Sequence, residues 1–162
     1  MNKIAPCLWF DSQAEEAATF YTSIFPNSRI GKVSRYGDAA AQAAGRPKGS
    51  ALTVVFELDG QSFTALNGGP MFRFNEAISL QVNVESQDEL DHYWDKLSAG
   101  GDPKAQRCGW LKDKFGLSWQ IVPTQIARMM TDPDPARSNR VMQALLQMTK
   151  LDLRALQQAY EG

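Results

Sequence analysis

The sequence predicts an α+β fold of two tandem β-α-β-β-β modules followed by a helical extension. Three observations carry this. The pattern Ser-Gln-x-Glu occurs at Ser12–Glu15 and recurs at Ser86–Glu89, an offset of 74 residues (86 − 12), with Phe20 falling on Trp94. Each copy stands between β-prone runs, in the order strand, helix, strands. Past Pro123 the alternating pattern stops and helix signals replace it. The expected organisation is a domain over 1–123, with module one at about 3–68 and module two at about 77–123, and an extension over 124–162.

In module one, Ile4–Phe10 reads as a buried strand. Ser12 and Glu15 form a capping box, in which hydroxyl and carboxylate satisfy free N–H groups at a helix start. Ala14, Ala17, Ala18, Tyr21, Ile24 and Phe25 give that helix an apolar face, and Pro26-Asn27 ends it. Ser28–Tyr36 reads as a strand, and Gly37–Gly49, rich in Ala and Gly, as a mobile loop. Ala51–Leu58 and Gln61–Asn67 are strands joined by the hairpin signal Asp59-Gly60.

In module two, Ala77–Val84 alternates as a strand. Ser86 and Glu89 open a helix bearing Leu90, Tyr93, Trp94 and Leu97, which Gly100-Gly101 stops. Gly101–Gln106 leaves room for a stub of strand. Cys108–Lys112 and Leu117–Val122 then form a hairpin about Asp113–Gly116. In the extension, Gln125–Met130 reads as a helical turn. Asp134 as N-cap with Pro135 at the first helical position opens a helix to Met148, and Asp152 opens another ending near Tyr160. The methionines Met129, Met130, Met142 and Met148 read as packing residues.

Composition excludes several classes of function. The 162 residues carry a formal net charge of −1, without a basic block, so no nucleic-acid partner is expected. No apolar run nears the roughly 20 residues of a membrane helix. The N-terminal MNKIAPCLWFD has no apolar signal core, so a cytoplasmic location is expected. Cys7 and Cys108, the two cysteines, form no CxxC pattern, and a reduced cytosol disfavours pairing them. Cys108 reads either as a small half-buried hydrophobe or as a reactive thiol near a pocket.

The stretch Cys108–Pro123 concentrates Trp110, Phe115 and Trp119. Alternation puts Ser118, Gln120 and Val122 on one strand face and Leu117, Trp119 and Ile121 on the other. Gln120 is a polar group in a segment that reads as buried, and either a ligand or the fold can occupy its amide. Lys112 and Asp113 read as solvated hairpin charges.

Taken as a set, several motifs resemble the PhnB-like family, often labelled 3-demethylubiquinone-9 3-methyltransferase, of the vicinal oxygen chelate (glyoxalase/bleomycin-resistance/dioxygenase) superfamily. They are Pro6-Cys-Leu-Trp-Phe-Asp11, Ile24-Phe-Pro26, Ser34-Arg-Tyr-Gly37, Phe63-Thr-Ala-Leu-Asn-Gly-Gly-Pro70, Ala77-Ile-Ser-Leu80, Tyr93-Trp94 and Gly109–Gln120. The resemblance covers residues 3–123. It implies modules whose sheets pair into a curved cup holding a small molecule, and a homodimer.

Metalloenzymes of that superfamily draw His and Glu ligands from the first and last strands of each module. Transition metals need imidazole and carboxylate donors converging from several directions. Here the four strands offer Asn67, Ser79, Gln81, Asn83 and Gln120 instead, and the single histidine, His92, lies in a helix. No metal and no cofactor are therefore expected. The methyltransferase label would need a glycine-rich turn opening a helix for S-adenosylmethionine, and Gly68-Gly69-Pro70 opens none. The expected function is a metal-free small-molecule-binding protein or an enzyme of unidentified chemistry. Trp9, Asn67, Gln81, Cys108, Trp110 and Gln120 are its candidate ligand contacts. The alternatives are the methyltransferase of the label and a divalent-metal lyase or dioxygenase.

Overall fold

The computed structural model describes residues 3–162; residues 1–2, the start of the N-terminal stretch, lie outside it. The chain divides into two compact units, Met1–Arg73 and Phe74–Gly162.

The first unit runs β1 (Cys7–Phe10), α1 (Ala14–Ile24), β2 (Arg29–Arg35), α2 (Asp38–Ala44), β3 (Ala51–Leu58) and β4 (Gln61–Asn67). Its sheet has the order β1-β4-β3-β2. β1 runs parallel to β4, and the other pairs are antiparallel. Alternation sends Leu8, Phe10, Val54, Phe56, Phe63 and Ala65 to one buried face, where the α1 stripe Ala14, Ala17, Ala18, Tyr21 and Ile24 is also buried. Tyr21 stacks on Phe56 at 6.2 Å, and Phe56 on Phe63 at 5.3 Å. Burying each such side chain stabilises the fold by about 1.5–3 kcal/mol. The β3–β4 turn places Asp59 (φ 44°) and Gly60 (φ 78°) in left-handed conformations, as a two-residue hairpin requires.

The second unit runs β5 (Leu80–Val84), α3 (Gln87–Ser98), a 3-10 turn (Pro103–Ala105), β6 (Trp110–Lys112), β7 (Ser118–Pro123), α4 (Gln125–Met130), α5 (Pro135–Leu146) and α6 (Leu153–Glu161). Its sheet has the order β5-β7-β6, with β5 parallel to β7. Val84, Leu111, Trp119 and Ile121 are buried on the sheet, as are Leu90, Tyr93, Trp94 and Leu97 on α3. No helix among the described residues is long and apolar enough to cross a membrane.

Four expectations need correction. Gly37–Gly49 is not a loop throughout. Its alanines form α2, which Gly45 (φ 63°) ends in a left-handed C-terminal position. The stub of strand after Gly101 is the 3-10 turn, capped by Asp102 through the Lys104 N–H at 2.9 Å. A Cβ at Gly101 would lie 2.0 Å from the Lys112 carbonyl oxygen, so this crossing admits only glycine. Ser12 does not cap α1; Asn67 does, as described below. Finally, Cys108 lies outside β6. Cys108 (φ 51°) and Gly109 (φ 83°) form a tight turn, across which Arg107 and Trp110 exchange backbone hydrogen bonds at 3.0 and 2.8 Å.

Candidate functional site

In each unit the helix covers one sheet face, and strand register fixes what stands on the other. In the second unit Gln81 pairs with Gln120, and Gln120 with Trp110, so these three side chains form one row across the open face. Asn83 and Val122 follow in the next row. Trp110 is 38% exposed, high for an indole in a strand. Gln120 Nε2 donates to Ser79 Oγ at 2.8 Å, and Gln81 Nε2 donates to Asn83 Oδ1 at 2.7 Å. Both glutamine carbonyl oxygens thus remain without a protein donor among the described residues.

Toward the turn, Lys112 pairs in register with Ser118. Lys112 makes an ion pair with Glu76. Its hydrogen bond holds the Glu76 carboxyl below the ordinary value, with the Lys112 charge adding to the effect. Ser118 is buried, and its hydroxyl has no hydrogen-bond partner among the described residues. A buried hydroxyl without a partner is costly.

Asp113 overturns its expected role. It is 2% exposed, not solvated. Its Oδ1 accepts from the backbone N–H groups of Phe115 (2.8 Å) and Leu117 (3.1 Å), and its Oδ2 accepts from Trp119 Nε1 (2.8 Å). It ties the turn to the core beneath the open face. The signal was an aspartate opening a tight turn, where its side chain binds backbone N–H groups downstream.

In the first unit the open-face rows are Cys7–Thr64–Val55 and Trp9–Leu66–Thr53. Trp9 is half-buried, donates from Nε1 to the Gly69 carbonyl at 2.9 Å, and meets Phe72 edge-on at 4.9 Å. A Cβ at Gly68 would lie 2.2 Å from the indole, so glycine there seats the ring.

The expected ligand contacts therefore separate. Gln81, Gln120 and Trp110 come together. Trp9 stands on the open face of the other sheet. Asn67 is corrected: it points to the helix-covered face and is 5% exposed. Its Oδ1 accepts from the Ala14 N–H at 2.8 Å, and its Nδ2 donates to the Ala51 carbonyl at 3.0 Å. Cys108, at its turn, donates its backbone N–H to the Met148 carbonyl at 2.9 Å. Sequence reading named Ser79 as a strand residue and put Ser118 on the face of Gln120, but gave neither a hydrogen-bonding role, because a serine's partner is not legible from its sequence neighbours.

His92 is exposed on α3, its ring edge-on to Tyr93 at 5.1 Å. No three His, Cys, Asp or Glu side chains gather as a metal site among the described residues. The open face offers amides, hydroxyls, an indole and one ion pair. These suit recognition of carbonyl, hydroxyl and N–H groups on a small molecule.

The family model described as 3-demethylubiquinone-9 3-methyltransferase matches residues 2–122. A PhnB protein from Bacillus cereus is 34% identical over 76% of this chain and 100% of its own, with a TM-score of 0.65. Protein PA1353 from Pseudomonas aeruginosa is 20% identical, covers 76% of this chain and 98% of its own, and has a TM-score of 0.58. The fosfomycin resistance protein FosX from Listeria monocytogenes is 15% identical, with 81% and 98% coverage and a TM-score of 0.52. The last two share the fold. No curated protein matches the chain.

Proposed function

We propose that this chain, which belongs to the 3-demethylubiquinone-9 3-methyltransferase family and with it to the vicinal oxygen chelate superfamily, binds a small neutral organic molecule on the open face of its second sheet. One observation carries the reading: the Gln81–Gln120–Trp110 row, with free amide oxygens beside an exposed indole. Trp110 would stack on a flat ring, and the glutamines would meet its polar substituents.

Duroquinone, a fully substituted neutral ring that thiols attack poorly, is a suitable probe. Titration should shift the side-chain amide NMR signals of Gln81 and Gln120 to saturation. Gln120→Ala should weaken binding about fivefold, the effect of one hydrogen bond, and leave the fold intact. Unchanged affinity in that variant would remove Gln120 from the site, and no saturable shift at these amides would sink the reading.

The description of the matched family favours a second reading, methyl transfer to such a ring. Gly68 and Gly69 lead into coil, not a helix, so the usual cradle for S-adenosylmethionine is not built there. Calorimetry with S-adenosylmethionine separates the two readings: heat of binding supports transfer, and its absence leaves binding alone. Family resemblance also supports a homodimer. Light scattering should then give about twice the 18.0 kDa chain mass.

A further inference from the structure

The Gln81–Gln120–Trp110 row has a hydrogen-bonding polarity. Each amide nitrogen already has an acceptor within the protein. Ser79 Oγ takes an N–H from Gln120 Nε2 at 2.8 Å, and Asn83 Oδ1 takes one from Gln81 Nε2 at 2.7 Å. Neither amide oxygen has a donor among the described residues. Both oxygens are within reach of a ligand. Gln81 is exposed, and Gln120, half-buried, keeps open surface at its oxygen, unlike the enclosed hydroxyl of Ser118. Gln81 and Gln120 are register partners on adjacent strands, which lie about 4.7–4.9 Å apart. The row therefore presents two acceptors side by side.

This polarity bears on the ring that would stack on Trp110. Such a ring displaces solvent from the row, and an amide oxygen that then meets no donor loses its hydration with nothing in return. An amide nitrogen that keeps its internal acceptor loses less. The Lys112 ammonium, in the next row of this face, is engaged by Glu76. A ring that brings its own donors is thus the better match. A hydroxyl donates to a glutamine oxygen and can also accept from the Trp110 Nε1–H, whereas a quinone carbonyl can only accept.

We propose, resting on the binding reading above, that this face selects the reduced, hydroxyl-bearing form of a neutral ring over its quinone, and that Ser79 and Asn83 are positioning residues that keep the glutamine oxygens turned to the ligand. The probes are durohydroquinone, duroquinone and the dimethyl ether of durohydroquinone. Each is titrated into the full chain in oxygen-free buffer and followed by NMR of the Gln81 and Gln120 side-chain amides. The hydroquinone should bind at least about fivefold more tightly than the quinone. The ether keeps the electron-rich ring and lacks both donors, so it should bind no better than the quinone. Ser79→Ala lets the Gln120 amide turn. It should narrow the preference for the hydroquinone while both compounds still bind, and Ser79→Thr should restore the preference. Equal affinities would overturn the proposal and leave binding on this face intact. So would an ether that matches the hydroquinone, or a Ser79→Ala protein with the full preference. A tighter quinone would mean that the amides present N–H groups to the ligand, and would overturn it too. No saturable shift from any of the three compounds would sink both the selection and the binding reading.

Discussion

The two modules begin their first helices differently, although both carry Ser-Gln-x-Glu. In module two the motif works as a cap: Ser86 Oγ accepts from the Glu89 N–H at 3.2 Å, and Glu89 reaches back to the Glu85 N–H at 2.8 Å. In module one a distant strand caps the helix, through Asn67 and the Ala14 N–H. Register explains the exchange. Phe10 pairs with Asn67, while Val84, at the matching place, pairs with Pro123. Proline brings no amide to the helix start, so the local serine serves instead. The paired glutamines diverge as well. The Gln13 side chain accepts from the neighbouring Ser12 N–H. Gln87 accepts from the Leu153 N–H at 2.9 Å and donates to the Leu151 carbonyl at 3.2 Å, holding the extension. The two copies of one motif do different work because their surroundings differ.

The contrast can be broken by substitution. The largest effect is expected at the long-range cap. Asn67→Ala leaves two buried backbone groups without partners and should cost about 3–4 kcal/mol, against about 1 kcal/mol for Ser86→Ala. Urea unfolding measures both, and equal losses would refute the division of roles. The hairpins come next. Asp113→Asn turns an amide N–H toward Trp119 Nε1 and should cost about 2–3 kcal/mol. Asp59→Asn, at an exposed left-handed position, should stay within about 0.5 kcal/mol.

The smallest effect concerns pH at the docked extension. Lys150 pairs with Asp91 at 2.9 Å, and Gln87 also donates to Asp91. The Lys150 hydrogen bond, then that of Gln87, holds the Asp91 carboxyl below its ordinary value, and Asp91 raises Lys150. A lowered carboxyl stabilises docking above its unfolded value and loses that contribution as pH falls through the folded one. A raised lysine contributes below its unfolded value and loses that contribution as pH rises through the folded one. Both groups are well exposed, so the change is small. Amide-exchange protection at Leu153 should decline below about pH 4 and again above the ordinary lysine range. A flat profile would show that the pair does not hold the extension.

Legibility in the sequence followed the range of the forces involved. Ala51–Leu58, Gln61–Asn67 and the Asp59-Gly60 turn were readable because alternation and turn chemistry are local. The Asp134-Pro135 start was readable for the same reason: Asp134 caps through the Ala136 N–H at 2.9 Å. The helix at Asp38–Ala44 was misjudged for its glycine flanks, though its alanine run is strongly helix-forming and Gly45 is an ordinary stop. Asn67 was misassigned because a side chain reaching 53 residues back leaves no local trace. Asp113 looked solvated because its burial depends on Trp119. At the candidate site, alternation placed Gln120 but could not find its partner Ser79, 41 residues away.

Part of the anchoring of the extension runs through main-chain atoms. The Met148 and Thr149 carbonyls receive the Cys108 and Gly109 N–H groups, each at 2.9 Å, and Leu151 packs where a side chain at Gly109 would stand. Every residue type except proline presents such an N–H, so a graft of this kind demands few changes in the surface that receives it. The turn, Gly109 and Gln87 receive the helices, with the Lys150–Asp91 pair beside them. The same economy makes the family-matched span a poor place to cut. A fragment ending at residue 122 would keep the receiving turn and lose what covers it, and solubility would suffer before the sheet itself failed.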